Sequence, residues 1–265
     1  MKAGEAYYKA LNAQKRLPEL EPIIMQDAQC AHFYARDVIQ GRWAEAEPAI
    51  MKLDTCLIYE YAKEVIRGRW LEAEETLLNK GLEWCSLYAR DVIKGRWAEA
   101  EKIILNYPEE ICYYAEYVIG GRWAEGEGEV IKHAVHAYRY AKRIMKSRWL
   151  DAEPIIMQTP RLSCAYAKQV IQGRWIEAEP IISQNASCAC LYAREVIQGR
   201  WLEAEPVIAQ SDKFSHSYAE TFFEEPVITK DKVDIIEWER KKQVGYFAPA
   251  SLFQDKVSLL DMVVE

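Results

Sequence analysis

The sequence predicts an all-α fold, an α-solenoid of about eight two-helix repeats with a C-terminal helical cap. A Gly-Arg-Trp triplet recurs seven times at intervals of 26 or 27 residues, with serine in place of glycine once. A fixed period of this length is typical of repeat proteins, in which neighbouring units bury a shared core. Seven of the nine tryptophans occupy the triplet: Trp43, Trp70, Trp97, Trp123, Trp149, Trp175 and Trp201.

The first helix of each repeat ends just before the triplet. In one repeat it runs from about Ala31 to Gln40, where Tyr34, Ala35 and the two aliphatic residues after Asp37 share one face. This spacing is that of a helical apolar stripe. Gly41 then follows, and we expect it to end the helix in the left-handed conformation that glycine adopts without steric cost.

The second helix of each repeat begins at the triplet. Trp43, Ala46 and Ile50 form its inward stripe, and Glu47 lies in the first turn, where a carboxylate favours the helix dipole. Pro48 is tolerated there because the first amides of a helix have no partner within the helix. The same register returns in every repeat, which predicts one packing arrangement used throughout.

The two ends and the middle of the chain depart from this pattern. The first unit, to about Gln26, lacks the tryptophan and glycine and is expected to act as a cap. Gly126, Gly128 and Ser147 replace the usual residues in the middle, which predicts a bend or a mobile joint within a continuous array. We therefore divide the chain into a repeat array, residues 1–226, and a C-terminal cap or docking segment, residues 227–265.

The repeat unit resembles the helical-hairpin solenoids, including the tetratricopeptide, Sel1-like and HEAT arrays. Its period is shorter than theirs and its residue pattern differs, so the resemblance across residues 1–226 is one of architecture and carries over no functional residue. The phrase Tyr-Ala-x-x-Val-Ile-x-Gly-Arg-Trp-x-Glu-Ala-Glu-Pro also resembles short repeats in uncharacterised reading frames of large tailed phages. That resemblance implies a protein that works in the host cytoplasm on host or defence machinery.

Composition points to a well-packed protein in a reducing compartment. Half the residues are hydrophobic, and the net charge of −7 argues against a general nucleic-acid binder while leaving a local basic surface open. The seven cysteines occupy one segment of the repeat without a Cys-x-x-Cys pair, which predicts reduced structural thiols and a cytoplasmic location. No signal peptide or membrane span is expected, because no apolar run is long enough.

No arrangement of residues predicts catalysis. Glu45 and Glu47 recur in kind in every repeat, whereas catalytic carboxylates are normally singular. The recurrent arginine of the triplet is expected to pair with those acids or with helix ends. His133 and His136 are close on one helix but lack further ligands at metal-binding spacing. We predict no catalytic residue, no cofactor and no metal.

Functional residues are instead expected where exposed positions depart from the repeat. On the first helix a basic residue is usually followed by an acidic one, as in Arg36 and Asp37, which predicts a mutually paired face. The acidic column is interrupted in the middle of the chain, and basic residues gather there. The candidate binding residues are Arg139, Lys142, Arg143, Lys146, Lys168 and Tyr117.

The function expected from these features is a non-enzymatic protein-binding or scaffold module that uses the surface of the solenoid. The partner would be a protein or a peptide segment. Two alternatives remain open at the level of the sequence. One is a nucleic-acid binder that uses the basic column with stacking tyrosines. The other is an inhibitor that sequesters an enzyme or a small ligand, with a pocket around Tyr113, Tyr114, Tyr117 and Tyr138.

Overall fold

The computed structural model describes residues 1–223, and this part of the chain is all-α without a strand. It divides into two compact units, Met1–Val130 and the residues from Ile131 onward. The division follows shortly after Gly126 and Gly128. The predicted cap or docking segment, residues 227–265, lies outside the described residues.

The first unit contains ten helices, and the described part of the second contains seven. Those of the first unit are α1 (Ala3–Ala13), α2 (Glu21–Ile24), α3 (Ala28–Tyr34), α4 (Glu47–Leu53), α5 (Thr55–Glu60), α6 (Leu71–Lys80), α7 (Leu82–Tyr88), α8 (Ala98–Ile104), α9 (Pro108–Tyr114) and α10 (Ala124–Val130). Those of the second are α11 (Ala134–Tyr140), α12 (Glu153–Ile156), α13 (Pro160–Tyr166), α14 (Glu179–Ile182), α15 (Ala186–Tyr192), α16 (Glu205–Ile208) and α17 (Asp212–Phe222).

The helices pack as repeated pairs, which confirms the predicted fold class. Odd-numbered helices are the first helices of the repeats and even-numbered helices are the second. In the first unit α5 packs on α7 and α7 on α9, and in the second α11, α13, α15 and α17 pack in succession. Each even-numbered helix packs against the first helix of its own repeat. The start of the second helix differs from the prediction, because in several repeats a turn or a short 3-10 segment separates the tryptophan from the α-helix.

The core of each repeat is a tryptophan–tyrosine pair, as the sequence predicts. All seven triplet tryptophans are buried, and the tyrosine before each of them is fully buried. In one repeat the rings of Tyr34 and Trp43 lie 5.0 Å apart, and the other pairs are 5.0 to 5.2 Å apart. Ala46 and Ile50 complete the inward stripe, so the large aromatic rings pack against small and aliphatic neighbours.

The end of the first helix differs from the prediction. Residues Ala35–Ile39 form a π-helical turn, and this wide turn recurs at the same place in all seven repeats from α3 to α15. The carbonyl of Ala35 accepts hydrogen bonds from the amides of both Gln40 and Gly41. Because this turn closes on Gln40, the left-handed residue is Gln40, with φ 57°, and Gly41 lies outside the left-handed region. The predicted role of Gly41 as the left-handed cap is therefore wrong.

Gly126 has a packing role that its neighbours explain. It takes the place of the small residue that faces the first helix of the repeat. A Cβ atom at Gly126 would lie 2.5 Å from Cγ2 of Ile111, a branched side chain that is buried. Helix α10 continues through Gly126, so the glycine there accommodates the larger isoleucine.

The recurrent arginine and second glutamate form a bidentate ion pair in every repeat. The guanidinium of Arg42 donates to both carboxylate oxygens of Glu47, at 2.9 and 2.8 Å. The equivalent pair recurs seven more times, including the first degenerate unit, where Arg16 pairs with Glu21. This confirms the predicted structural role of the recurrent arginine and glutamate.

A tyrosine from the next repeat completes this cluster. The Tyr61 hydroxyl accepts a hydrogen bond from the Trp43 amide at 2.7 Å and donates one to Glu47 at 3.4 Å. Burial raises the pKa of Tyr61 to about 12, so the hydroxyl keeps its proton and remains a donor. Equivalent bonds are made by six other tyrosines: Tyr34, Tyr88, Tyr114, Tyr166, Tyr192 and Tyr218. The most regular polar residues therefore hold one repeat to the next.

Candidate functional site

The outer face of the first helices in the first unit is a network of paired charges. Asp91 accepts hydrogen bonds from Tyr59 at 2.5 Å, from Lys63 at 2.8 Å and from Arg90 at 2.6 Å. The Arg90 guanidinium, with Lys63 and Tyr59, holds the pKa of Asp91 well below its usual range. Asp37 is held in the same way. The predicted mutually paired face is thus confirmed in this unit.

The corresponding face of the second unit carries a basic cluster, which we define as Lys142, Arg143 and Lys168 around Tyr138. The Lys142 ammonium lies 5.9 Å from the centre of the Tyr138 ring. Burial raises the pKa of Tyr138, and the positive charges of Arg143 and Lys168 oppose that rise, which places both charges near the phenol. Lys168 also pairs with Glu195. The structure thus brings together three of the six residues selected from the sequence.

The other three candidates are exposed. Arg139 lies on α11, one turn before Lys142 and Arg143, and so shares their surface. Lys146 is the left-handed residue that ends the π turn after α11, with φ 54°. Tyr117 lies in the first unit, where its ring packs 4.7 Å from that of Tyr113.

Tyr114 cannot belong to the aromatic pocket considered from the sequence. Tyr114 is fully buried, and its hydroxyl is occupied by the Trp97 amide at 2.6 Å and by Glu101 at 3.0 Å. The Tyr113 hydroxyl accepts a hydrogen bond from the Arg90 guanidinium. Tyr114 is therefore part of the core that joins two repeats and is not free to line a ligand pocket.

A second surface in the second unit was not predicted from the sequence. The residue that directly follows the tryptophan is a large aliphatic one in three consecutive repeats: Leu150, Ile176 and Leu202. These side chains are 60 to 66% exposed. A proline comes four residues later in each repeat. We define the aliphatic stripe as Leu150, Pro154, Ile176, Pro180, Leu202 and Pro206.

The first unit does not have this stripe. The position after the tryptophan is occupied by exposed alanine in three of its repeats: Ala44, Ala98 and Ala124. Leu71 is the one large aliphatic residue there, and it is 66% exposed. Glu75 and not proline follows Leu71 by four residues, so this leucine has neither aliphatic neighbours in adjacent repeats nor a proline beside it.

An acidic column runs beside the aliphatic stripe. Asp151, Glu177 and Glu203 each follow the aliphatic residue and are exposed. The pKa of Arg148 is raised first by its hydrogen bonds to Glu153 and further by the charge of Glu177 in the next repeat. The next two repeats have the same arrangement with Arg174, Glu179 and Glu203. The arginine of one repeat therefore lies near the exposed acid that follows the aliphatic residue of the next repeat.

The stripe has a sequence signal that could have revealed it. The order Trp, large aliphatic, acidic, Ala, Glu, Pro is complete only in the segments that start at Trp149, Trp175 and Trp201. The helical period assigns this aliphatic position to the outside. A large apolar residue that recurs on an exposed position needs an explanation other than the core.

The seven cysteines and the four histidines all lie within residues 1–223. All seven cysteines are free thiols, and burial raises the pKa of Cys85 and of Cys164 to about 12, so these thiols are poor nucleophiles. His32 is completely buried, and burial lowers its pKa. His133 and His136 lie with their rings 5.9 Å apart, but no group of three or more metal-ligating side chains is found in the described residues.

Comparison of the chain with models of protein families, with curated proteins and with solved structures finds no match. No helix within residues 1–223 is long and apolar enough to span a membrane. Function therefore has to be inferred from the two surfaces of the second unit, the basic cluster and the aliphatic stripe.

Proposed function

We propose that this chain is a non-enzymatic protein-binding module whose contact surface includes the aliphatic stripe of the second unit. The observation that carries this proposal is the exposure of Leu150, Ile176 and Leu202 at one repeat position. Burying apolar area contributes about 25 cal/mol per Å² to association. Aliphatic side chains form neither hydrogen bonds nor ion pairs with a phosphate or a sugar, so they favour a protein partner over a nucleic acid.

The framework, by which we mean the residues that recur in every repeat, also supports this proposal. The polar groups that recur in every repeat are engaged with one another, as in the cluster of Arg42, Glu47 and Tyr61. They hold the repeats together and are not available as acids, bases or nucleophiles. A module of this kind acts through the positions that the framework leaves exposed.

The setting of the protein is part of the proposal. Seven free thiols fit a reducing compartment such as the cytoplasm. The resemblance of the repeat to those of large tailed phages suggests a host or defence factor as the partner. Identification of the partner tests this setting directly.

Affinity capture with matched variants tests the function. Two baits are used: the full chain and the triple variant Leu150→Gln, Ile176→Gln, Leu202→Gln. The cell lysate applied to each bait is divided into nuclease-treated and untreated halves. The proposal expects a protein that survives nuclease, binds the full chain and is lost with the triple variant. Leu71→Gln is the control, because it makes the same change at the same repeat position in the first unit. Retention of every captured protein by the triple variant would contradict the proposal.

The basic cluster favours a second candidate, binding of a nucleic acid. Lys142, Arg143 and Lys168 surround an aromatic ring, an arrangement suited to phosphates beside a stacked base. In the first unit Asp91 pairs with Lys63 and Arg90, and in the second Lys168 of the cluster pairs with Glu195. Gln169 stands in the second unit at the repeat position that Asp91 holds in the first.

The same capture experiment separates the two candidates. The variant Gln169→Asp would place an acid beside Lys142 and Lys168, and Lys142→Ala with Arg143→Ala would remove positive charge. Nucleic acid that binds the full chain with steep salt dependence and is lost with both variants would favour this candidate. Nucleic acid retained by both variants would exclude the basic cluster as its site.

A further inference from the structure

The chemistry of the aliphatic stripe defines the kind of partner that fits it. We propose that the stripe binds an amphipathic α-helix of a partner protein, with aliphatic residues about seven positions apart and lysine or arginine beside them. This inference rests on the proposed protein-binding function and specifies its partner. It follows from three properties of the stripe: its composition, its charge and its spacing.

The composition of the stripe is not required by the fold. The inward side of each second helix is already complete, as shown by Trp175, Ala178 and Ile182, which are buried. Ile176 lies outside this set and is 60% exposed. The first unit folds with alanine at the equivalent position in three repeats. Within residues 131–223, the large aliphatic side chains at these three successive positions therefore lie outside the buried core.

The charge around the stripe is negative. Each aliphatic residue of the stripe is followed by an exposed acid, Asp151, Glu177 or Glu203, and stands two residues after a framework arginine. The segments that carry the stripe contain three framework arginines, Arg148, Arg174 and Arg200, and six carboxylates: three exposed and three held in the bidentate pairs. Since the acids outnumber the arginines, a partner with basic residues beside its aliphatic ones is electrostatically complementary, and a partner with acidic residues is repelled.

The spacing of the stripe matches a helix. The first helices α11, α13, α15 and α17 pack in succession, and packed helices lie roughly 8–10 Å apart, so residues at one repeat position, such as those of the stripe, recur at about that spacing. An α-helix rises about 1.5 Å per residue, and two turns, or about seven residues, cover about 10.5 Å and return to the same face. A β-strand repeats the same face about every 6.6 Å and falls out of step with the repeats. Heptad-spaced aliphatic residues on a helix therefore meet Leu150, Ile176 and Leu202 in turn.

A synthetic peptide tests this inference on the full chain. The probe is a fluorescent peptide of about 20 residues, with leucine at every seventh position, lysine beside each leucine and alanine elsewhere. Binding is measured by fluorescence anisotropy. We expect the triple variant Leu150→Gln, Ile176→Gln, Leu202→Gln to lose at least about tenfold in affinity and Leu71→Gln to lose less than about twofold. Unchanged far-ultraviolet circular dichroism and melting temperature establish that the variants remain folded.

Three altered peptides test the separate properties of the partner. Replacement of leucine by glutamine should abolish binding if the stripe recognises aliphatic side chains, and replacement of lysine by glutamate should abolish it if charge contributes. A central proline should weaken binding because it breaks the helix. Equal binding of any of these peptides, or of the triple variant, would overturn the proposed partner.

Two other outcomes would also replace the inference. Sedimentation that shows a dimer of the full chain and a monomer of the triple variant would identify a second copy of this chain as the occupant. Failure of the peptide, together with stripe-dependent capture of a protein, would reject the amphipathic basic helix while leaving the protein-binding function in place. Failure of both experiments would reject the function as well.

Discussion

The first and second units share one framework and differ on their surfaces. In both, a buried tryptophan packs against a tyrosine with the rings tilted, and an arginine–glutamate pair with a tyrosine joins one repeat to the next. The outer face of the first helices is neutralised by acids such as Asp91 in the first unit and carries the basic cluster in the second. The position after the tryptophan is mostly alanine in the first unit and a large aliphatic residue in the second.

This difference separates two kinds of repetition. Residues that recur across both units build the repeat, and their contacts explain them fully. Large aliphatic residues that recur in consecutive repeats of the second unit, Leu150, Ile176 and Leu202, remain mostly exposed within the described residues. Repetition alone therefore does not mark a residue as structural, and the contacts of the residue decide.

The largest effects should come from the shared framework. Trp97→Ala in the first unit and Trp175→Ala in the second should each lower the free energy of unfolding by about 3–5 kcal/mol, because each removes a buried indole. Chemical denaturation measures the loss. Leu150→Ala is the control and should change stability by less than about 0.5 kcal/mol. A small loss for either tryptophan would break the equivalence of the two units.

Much of the framework could be predicted from the sequence, because its residues are large, periodic and few in kind. The Trp43 column and the pairing of Arg42 with Glu47 follow from period and charge alone. The left-handed Gln40 could not be predicted, because the rule that glycine ends a helix assumes an α-helical last turn and the last turn here is π-helical.

The candidate surfaces were predicted unevenly for a related reason. The basic cluster was visible because an acid is missing from a charged column, as at Gln169. The aliphatic stripe was not predicted because it departs from the repeat in apolar and not in charged residues, although the helical period places Leu150 outside the inward set and the structure shows it exposed. The sequence could not show that Tyr117 lies in the first unit and the basic residues lie in the second, because the division into units is visible only in the structure.

The hydroxyl that joins neighbouring repeats should have the next largest effect. Tyr114→Phe leaves the buried Trp97 amide without a partner and should cost about 1–3 kcal/mol in stability. Tyr192→Phe should cost the same, because it makes the equivalent bond in the second unit at 2.7 Å. Tyr117→Phe, at an exposed position, serves as the control. Unequal costs at Tyr114 and Tyr192, measured by denaturation, would show that the two units are not joined in the same way.

Gly126 offers a test of packing that is particular to the first unit. Gly126→Ala should destabilise by about 1–3 kcal/mol because its Cβ would overlap Ile111. In the Ile111→Ala background the same substitution should stabilise by up to about 1 kcal/mol, since alanine is the better helix former. A double-mutant cycle measures this change of sign. The same sign in both backgrounds would mean that Ile111 is not the reason for the glycine.

Acid should affect the charged face of the first unit in a defined direction. The pKa of Asp91 is lowered, chiefly by Arg90, so its contribution to stability is complete above the unfolded pKa of about 3.9 and is lost as the pH falls below that value. Asp91→Asn should therefore cost about 0.5–1 kcal/mol at neutral pH and progressively less below about pH 4. Gln169→Asn, at the same repeat position in the second unit, should show no such dependence. A loss that is constant with pH would rule out the ion pairs of Asp91 as its cause.

The smallest effect concerns the end of the first helix, where in six of the seven repeats a residue other than glycine is left-handed. Gln172 is left-handed, with φ 57°, and the Cβ position of Gly173 is open, with no atom within 4 Å. Gln172→Gly should therefore stabilise the protein by up to about 1 kcal/mol by relieving left-handed strain, and Gly173→Ala should be close to neutral. Gly120→Ala, at the matching left-handed position of the first unit, should destabilise by a similar amount. If Gly173→Ala instead lowers stability while Gln172→Gly has no effect, the left-handed residue would be Gly173 and not Gln172. The π turn would then not determine which residue is left-handed.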